Sequence, residues 1–267
     1  MQFSVRHHCA LGAFASLLAC LASSQAAHAA SIAALQDGKS IVWIDTQQMR
    51  VTGTTALAGG ATLVGIDVRP ADGKLYGMTA EGRVVTLDAR TGKWEKKSEL
   101  TEKLPSGVSF AVDFNPVADR LRVLTNTGMS YRINVDDGKT TVDGSLKFAD
   151  ADANKAMAAK VVAAAYSNSY AGSKETSLYD IDLSTGALLK QAPPNDGTLN
   201  TIGKLGVSLD GPVAFDIAAD GKGGNTGWLL AGGTLYAVDL ASGQAKSVGK
   251  IAGLKGAILD MAILPSE

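Results

Sequence analysis

Five short segments of this chain end in the same way, on an Asp or an Asn. They are residues 40–45, 84–88, 130–134, 178–182 and 234–239, closing on Asp45, Asp88, Asn134, Asp182 and Asp239. The residue before the last is aliphatic in every copy (Ile44, Leu87, Ile133, Ile181, Val238). Two positions earlier stands another apolar side chain (Val42, Val85, Tyr131, Tyr179, Tyr236). Alternation with a period of two marks a strand with one well-buried face. After four of the five, a turn closes on Gly92, Gly138, Gly186 and Gly243. Asp or Asn opening a type I turn, with Gly taking the left-handed position, is hairpin chemistry. Each copy therefore predicts a strand and a polar return strand.

A second set of strands precedes the first. Val64-Gly-Ile-Asp-Val-Arg-Pro70 matches Phe110-Ala-Val-Asp-Phe-Asn-Pro116, with looser copies at residues 162–168, 213–218 and 258–265. With Asp67, Asp113, Ala165, Asp216 and Asp260 taken as equivalent, the steps are 46, 52, 51 and 44 residues, and closing around the chain ends gives 44 again. Several strands per unit at that period describe β-propeller blades. The last strand has no hairpin of its own, and the N-terminal hairpin lacks a first strand. Joining them completes a blade and removes two free sheet edges. The prediction is an all-β, five-bladed β-propeller in one domain, residues 30–267, whose N- and C-terminal strands close one shared blade. A β-sandwich would leave the cyclic register unexplained. The excess of 20 Asp over 6 Glu agrees, because Asp favours turns and Glu favours helices. The Ala-rich stretch 150–160 predicts one or two helical turns at most. Only 17 residues separate Ala165 from Asp182, against 21 to 23 elsewhere, which predicts a short or missing second strand in blade four.

Residues 1–29 read as a secretory signal peptide. Arg6 gives the positive start, Cys9 to Ala22 is an apolar run of 14 residues, and Ala27-His28-Ala29 forms an A-x-A cleavage site. The expected location is periplasmic or secreted, with lipid anchoring at Cys20 as the alternative and no transmembrane segment after processing. Both cysteines and all three histidines lie within the first 28 residues. The mature chain would then lack thiol nucleophiles, disulfides, His-based triads and zinc sites of the Cys/His kind. With Arg6 removed it carries 24 basic and 26 acidic groups. That near-neutral balance, without a basic run, argues against nucleic acid as a partner.

Three longer motifs complete the picture: residues 111–123 (Ala-Val-Asp-Phe-Asn-Pro-Val-Ala-Asp-Arg-Leu-Arg-Val), residues 132–136 (Arg-Ile-Asn-Val-Asp) and residues 193–200 (Pro-Pro-Asn-Asp-Gly-Thr-Leu-Asn). Over nearly the whole mature chain the sequence resembles a bacterial exported family known as domain of unknown function 4394. The resemblance implies secretion and a repeated β architecture, and it supplies no substrate or catalytic residue. Within the motifs, Asn115-Pro116 and Asp119 look like a turn, and Arg122 is placed to brace a neighbouring blade.

Four aspartates carry the sharpest chemical expectation. Repeat geometry puts Asp67, Asp113, Asp216 and Asp260 in one ring near the axis, with Ala165 in the fifth place. Two carboxylates about 8 Å apart repel by roughly 2 kcal/mol at an effective dielectric of about 20, so four bare charges need an offset. The offset is a bound cation such as Ca²⁺, a cationic ligand, raised pKa values, or backbone N–H groups pinning neighbouring blades. Asp150-x-Asp152-x-Asn154 opens with EF-hand spacing, but Lys155 and Val161 replace the required Gly and Glu. The Gly-rich run 221–227 lacks the Gly-Lys-Ser/Thr ending of a phosphate loop and reads as a hairpin. Asn195 and Asp196, in a proline-stiffened loop, are candidate recognition residues. The function expected is a non-catalytic binding or scaffold module for an envelope protein, glycan or small molecule. The alternative is a metal-assisted hydrolase or lyase using the axial carboxylates.

Overall fold

The computed structural model describes Met1 and residues 31–264. The signal-peptide reading, with Cys20 and the cleavage site before Ala30, lies outside the described residues. Among those described, twenty-one strands form five sheets, joined by turns and two short 3₁₀ segments. Residues 150–157 form turns without helix.

Blade one combines the chain's last described strand, β21 (Ile258–Leu264), with β1 (Ser31–Gln36), β2 (Ser40–Asp45) and β3 (Arg50–Ala56), in the order β21-β1-β2-β3. Ala262 pairs with Ala33 in an antiparallel ladder, so the predicted ring closure is present. Blade two holds β4 (Leu63–Val68), β5 (Leu75–Thr79), β6 (Arg83–Asp88) and β7 (Lys93–Glu99). Blade three holds β8 (Phe110–Asn115), β9 (Arg120–Thr125), β10 (Ser130–Ile133) and β11 (Thr140–Val142). Blade five holds β17 (Val213–Ala219), β18 (Asn225–Ala231), β19 (Thr234–Val238) and β20 (Ala245–Lys250). The innermost strands β21, β4, β8, β13 (Val161–Tyr166) and β17 contact one another in sequence around the axis.

Blade four corrects the expectation of a short or missing second strand. The segment β14 (Leu178–Asp182) occupies the second place itself, with Tyr179 paired to Ala165 as Tyr76 is paired to Asp67. β15 (Ala187–Gln191) and β16 (Thr198–Lys204) fill the next places, and β12 (Lys147–Phe148) adds a parallel outer strand. The Asp-to-Gly turn after β14 therefore points to the opposite end of its blade. Glycine packing records the shift. A Cβ on Gly92 or Gly138 would lie 2.0 or 1.9 Å from the backbone oxygen of Ala56 or Glu99 on the preceding blade, whereas Gly186 meets nothing within 4 Å.

Among the described residues the core is divided into five apolar slabs that fill the spaces between blades. Ala33, Leu35 and Ile41 pack with Ile66 and Val85 of blade two, while Ile32, Ala34 and Val42 pack with Trp228 and Leu230 of blade five. Alternate residues of one strand thus meet different neighbours, and Ile32–Leu35 is buried on both faces. This explains why the middle strands read as apolar runs where a two-sided sheet in water would alternate.

Candidate functional site at the axis

At the axis, the innermost strand of each blade presents an unpaired edge, and buried N–H groups there need acceptors. The aspartates supply them. Asp67 accepts from its own neighbour Val68 N (2.7 Å) and from Phe114 N of the next blade (2.7 Å). Asp113 accepts from Tyr166 N (2.9 Å), and Asp216 from Ile217 N and Ile263 N (both 2.6 Å). Three side chains thereby satisfy one N–H from each of the five innermost strands. The two aspartates that take both kinds of bond follow blades whose equivalent residue is alanine, Ala262 before β4 and Ala165 before β17. With no carboxylate arriving at that level from the blade behind, each binds its own strand's N–H.

Asp260 belongs to a neighbouring layer of the same device. It accepts from Met261 N (2.9 Å) and from Ile66 N (3.0 Å), one residue before Asp67, whereas the bonds to Phe114 and Tyr166 fall one residue after the ring position. Its place is thus two residues from the register assumed by the repeat, and Ala262 holds the equivalent position. The layer is otherwise lined by small residues. A Cβ on Gly65 would sit 2.3 Å from Val112 Cγ2 and 2.9 Å from Asp260 Oδ2, so glycine is required by the close approach.

All four carboxyls are buried, each 4–5% exposed. Oxygens of Asp67, Asp113 and Asp216 lie within 4.8 Å of one another. Burial raises Asp67 well above the usual carboxylate range, with the charge of Asp216 adding to it, and raises Asp113 likewise, with the charge of Asp67 adding. Burial also raises Asp260 well above that range and pushes Asp216 up to about 6, against the lowering effect of the N–H groups they accept from. Hydrogen bonds and raised pKa values thus both act as offsets to the repulsion.

The other sequence candidates are drawn into structural contacts. Asn195 Oδ1 accepts from Arg122 Nη2 at 2.9 Å, while Asp196 is exposed on a 3₁₀ turn. Arg122, 1% exposed, also reaches Tyr166 OH and Ser130 and pairs with Asp143 at 2.6 Å. It braces blade three to blade four. Asn115 Oδ1 caps the turn by accepting from Val117 N and Ala118 N. Asp152 accepts from Thr201 N (2.6 Å) and Asn154 donates to Thr201 Oγ1 (3.0 Å), which ties the EF-hand-like segment to β16. The run 221–227 spans the β17–β18 hairpin, with Asp220 accepting from Lys222 N and Gly224 N.

Two features were not anticipated. Arg69 binds Asp119 through two hydrogen bonds (2.8 and 2.6 Å) and reaches Asp136 at 3.1 Å, stapling blade two to blade three. The Arg-Pro ending of its strand gave no hint of those partners. Asp180 on β14 is 0% exposed, and neither carboxyl oxygen has a hydrogen-bond partner among the described residues. Burial pushes its pKa up to about 8, against the lowering charge of Arg122.

Closed five-bladed β-propeller architecture with an aspartate-pinned axis defines the class. Residues 40–262 match the family model described as Domain of unknown function (DUF4394), and the chain belongs to that family. Solved structures similar to it include a protein of unknown function from Bacteroides caccae (12% identity, TM-score 0.44, covering 89% of this chain and 100% of that one). A second, also of unknown function, from Bacteroides thetaiotaomicron, has 14% identity and a TM-score of 0.51, covering 88% of this chain and 66% of that one. A glutaminyl cyclase from Myxococcus xanthus has 12% identity and a TM-score of 0.41, covering 75% and 69%. Likeness at such identities concerns architecture alone. No curated protein matches.

Proposed function

We propose that this chain is an exported, periplasmic or secreted, non-catalytic binding or scaffold module, recognising an envelope protein, glycan or small molecule at its rim. One observation supports this reading above others: the axial carboxyls are engaged by backbone N–H groups, so the acids available at the axis hold the ring together. Among the described residues no helix is long and apolar enough to cross a membrane. Export is checked by mass spectrometry of the secreted or periplasmic fraction. A chain beginning at Ala30 is expected, and an acylated Cys20 would replace that with the anchored form.

The mutual approach of Asp67, Asp113 and Asp216 within 4.8 Å favours a second reading, a Ca²⁺ or other cation site serving a metal-assisted hydrolase or lyase. Substitution separates the two. Asn in place of Asp216 keeps one acceptor and loses the other, leaving a buried N–H unpaired at a cost of about 1–3 kcal/mol. For a domain of this size that is roughly 2–12 °C of melting temperature. The latch reading expects this loss for Asp216→Asn with or without divalent metal. Stabilisation of the metal-free protein by Asp113→Asn and Asp216→Asn, with loss of a Ca²⁺-induced shift, would establish the cation reading instead. A thermal-shift screen of the mature protein against metals, envelope sugars and peptides, with turnover followed in parallel, tests the module as a whole.

A further inference from the structure

The loop that follows β15, residues 192–197, fastens blade four to blade three. Arg122 Nη2 donates to Asn195 Oδ1, Gly144 N to the Asn195 carbonyl and Lys147 N to the Gly197 carbonyl. From within blade four, Gln191 Nε2 donates to the Pro194 carbonyl. The loop is gripped from both sides, and it carries the candidate recognition residues Asn195 and Asp196.

Behind this grip lie two buried groups with unmet acceptors. Gln191 is 1% exposed and its Oε1 has no hydrogen-bond partner among the described residues; both carboxyl oxygens of Asp180 are in the same state. The Gln191 amide is oriented by Pro194, since turning it would set two carbonyl oxygens face to face. Leu178 pairs with Gln191 and Asp180 with Leu189, so Asp180 and Gln191 are diagonal neighbours on one face of the ladder. Long side chains reach one another at that spacing. Two buried acceptors side by side are costly, and a proton on the carboxyl makes it the donor that the amide oxygen lacks.

We infer that Asp180, as a neutral acid, donates its O–H to Gln191 Oε1 and so latches the 192–197 loop, and that loss of this proton releases the loop. A carboxylate calls for the Nε2 side of the amide, and an amide that turns to meet it withdraws its N–H from Pro194. Arg122 acts in the same direction, because its charge attracts the carboxylate while its Nη2 is what holds Asn195. Around Asp180, Asp182 of the same strand opposes ionisation, Tyr166 of β13 is kept neutral by burial, and Asp143 is paired with Arg122 and Arg132. Asp113 of β8 is engaged by Tyr166 N, and β15 brings only Ala187, Leu189 and Gln191 to this face. Burial dominates, and Asp180 titrates at about 8. The latch is therefore closed below that value and opens as pH rises through it. It holds whatever the rim binds, and so goes beyond the binding-module reading.

Carbon-13 NMR of the Asp180 carboxyl and amide exchange in the mature protein test this at about pH 6 and about pH 9.5, either side of the titration. The carboxyl is expected to be protonated at the lower pH. At the higher pH the Gly144 and Lys147 amides should lose about tenfold or more in protection factor, while amides of the β14–β15 ladder keep theirs. Asp180→Asn presents an N–H to Gln191 at every pH and should make both protection factors independent of pH. Gln191→Met removes the link and should leave Gly144 and Lys147 weakly protected at both values. An Asp180 carboxyl already ionised at the lower pH overturns the inference. So does equal protection of Gly144 and Lys147 at both values in the wild-type protein, or an equal loss in the ladder amides, which marks global opening. The same pH-dependent loss in Asp180→Asn overturns it as well. Since the first three results are read on the unaltered protein, the test decides even where Asp180→Asn does not fold.

Discussion

Deletion of residues 257–267 is expected to abolish cooperative folding at the temperature where the full chain is stable. The strand removed, β21, is the innermost strand of blade one and pairs with β1 along its whole length. Its loss uncovers the free edge of β1 and opens two slabs at once: Ile258 and Met261 face blade five, and Ala262 faces blade two. Fully burying each of the two larger side chains is worth about 1.5–3 kcal/mol. The Asp260 bond to Ile66 N and the Asp216 bond to Ile263 N disappear with it. Together these losses are comparable with a domain's whole net stability of about 5–15 kcal/mol. Calorimetry or circular dichroism decides. A truncated chain that melts in one transition at the full-length temperature would contradict ring closure by this strand.

Stability should fall as pH rises from about 5 to about 8. The buried aspartates bind protons more tightly folded than unfolded, with Asp216 near 6, Asp180 near 8, and Asp67, Asp113 and Asp260 raised well above the usual range. Unfolding therefore releases protons at any pH between the ordinary carboxylate value and the raised one, and stability decreases across that window. Asp180 alone, shifted from 3.8 to about 8, corresponds to roughly 5 kcal/mol lost by pH 8. Surface carboxyls held low, such as Asp239 by the N–H groups of Ser242 and Ala241, act in the opposite sense below pH 4 and place the optimum in mildly acid solution. Asp180 lies between Ala164 and Leu189 as cross-strand partners. Asp180→Leu should accordingly flatten the profile and raise stability at pH 8 by several kcal/mol. Urea unfolding at pH 5 and pH 8 measures both. A wild-type protein as stable at pH 8 as at pH 5, with a destabilised variant, would refute the assignment.

Local chemistry made the propeller legible. Asp-to-Gly turns and a blade-length period are properties of short segments, and Asp45, Asp88 and Asp239 each accept from the N–H groups two and three residues on. Register was partly legible. Pro70 and Pro116 follow Asp67 and Asp113 by three residues, and Pro265 follows Ala262 by three, so aligning on proline would have placed Asp260 in its own layer. Blade four misled because Leu178–Asp182 has the residues of a third strand but occupies the second place; only the pairing of Tyr179 with Ala165 distinguishes them. Asp180 was hidden by the same alternation that revealed the strand. Beside Tyr179 and Ile181 it reads as the solvent-facing residue, yet a strand inside a blade is covered on both faces. The bonds of Arg69 to Asp119 and Asp136 join residues distant in sequence, and no local pattern encodes them.

Amide hydrogen exchange tests the axial account most directly. In the wild-type protein the N–H groups of Val68, Phe114, Tyr166, Ile217 and Ile263 should exchange only with global unfolding, because each is held by an aspartate. In Asp67→Ala, Val68 and Phe114 should lose that protection while Tyr166, Ile217 and Ile263 keep it. Rapid exchange of all five amides in the wild-type protein, or protection of Phe114 unchanged by Asp67→Ala, would contradict the aspartate latch.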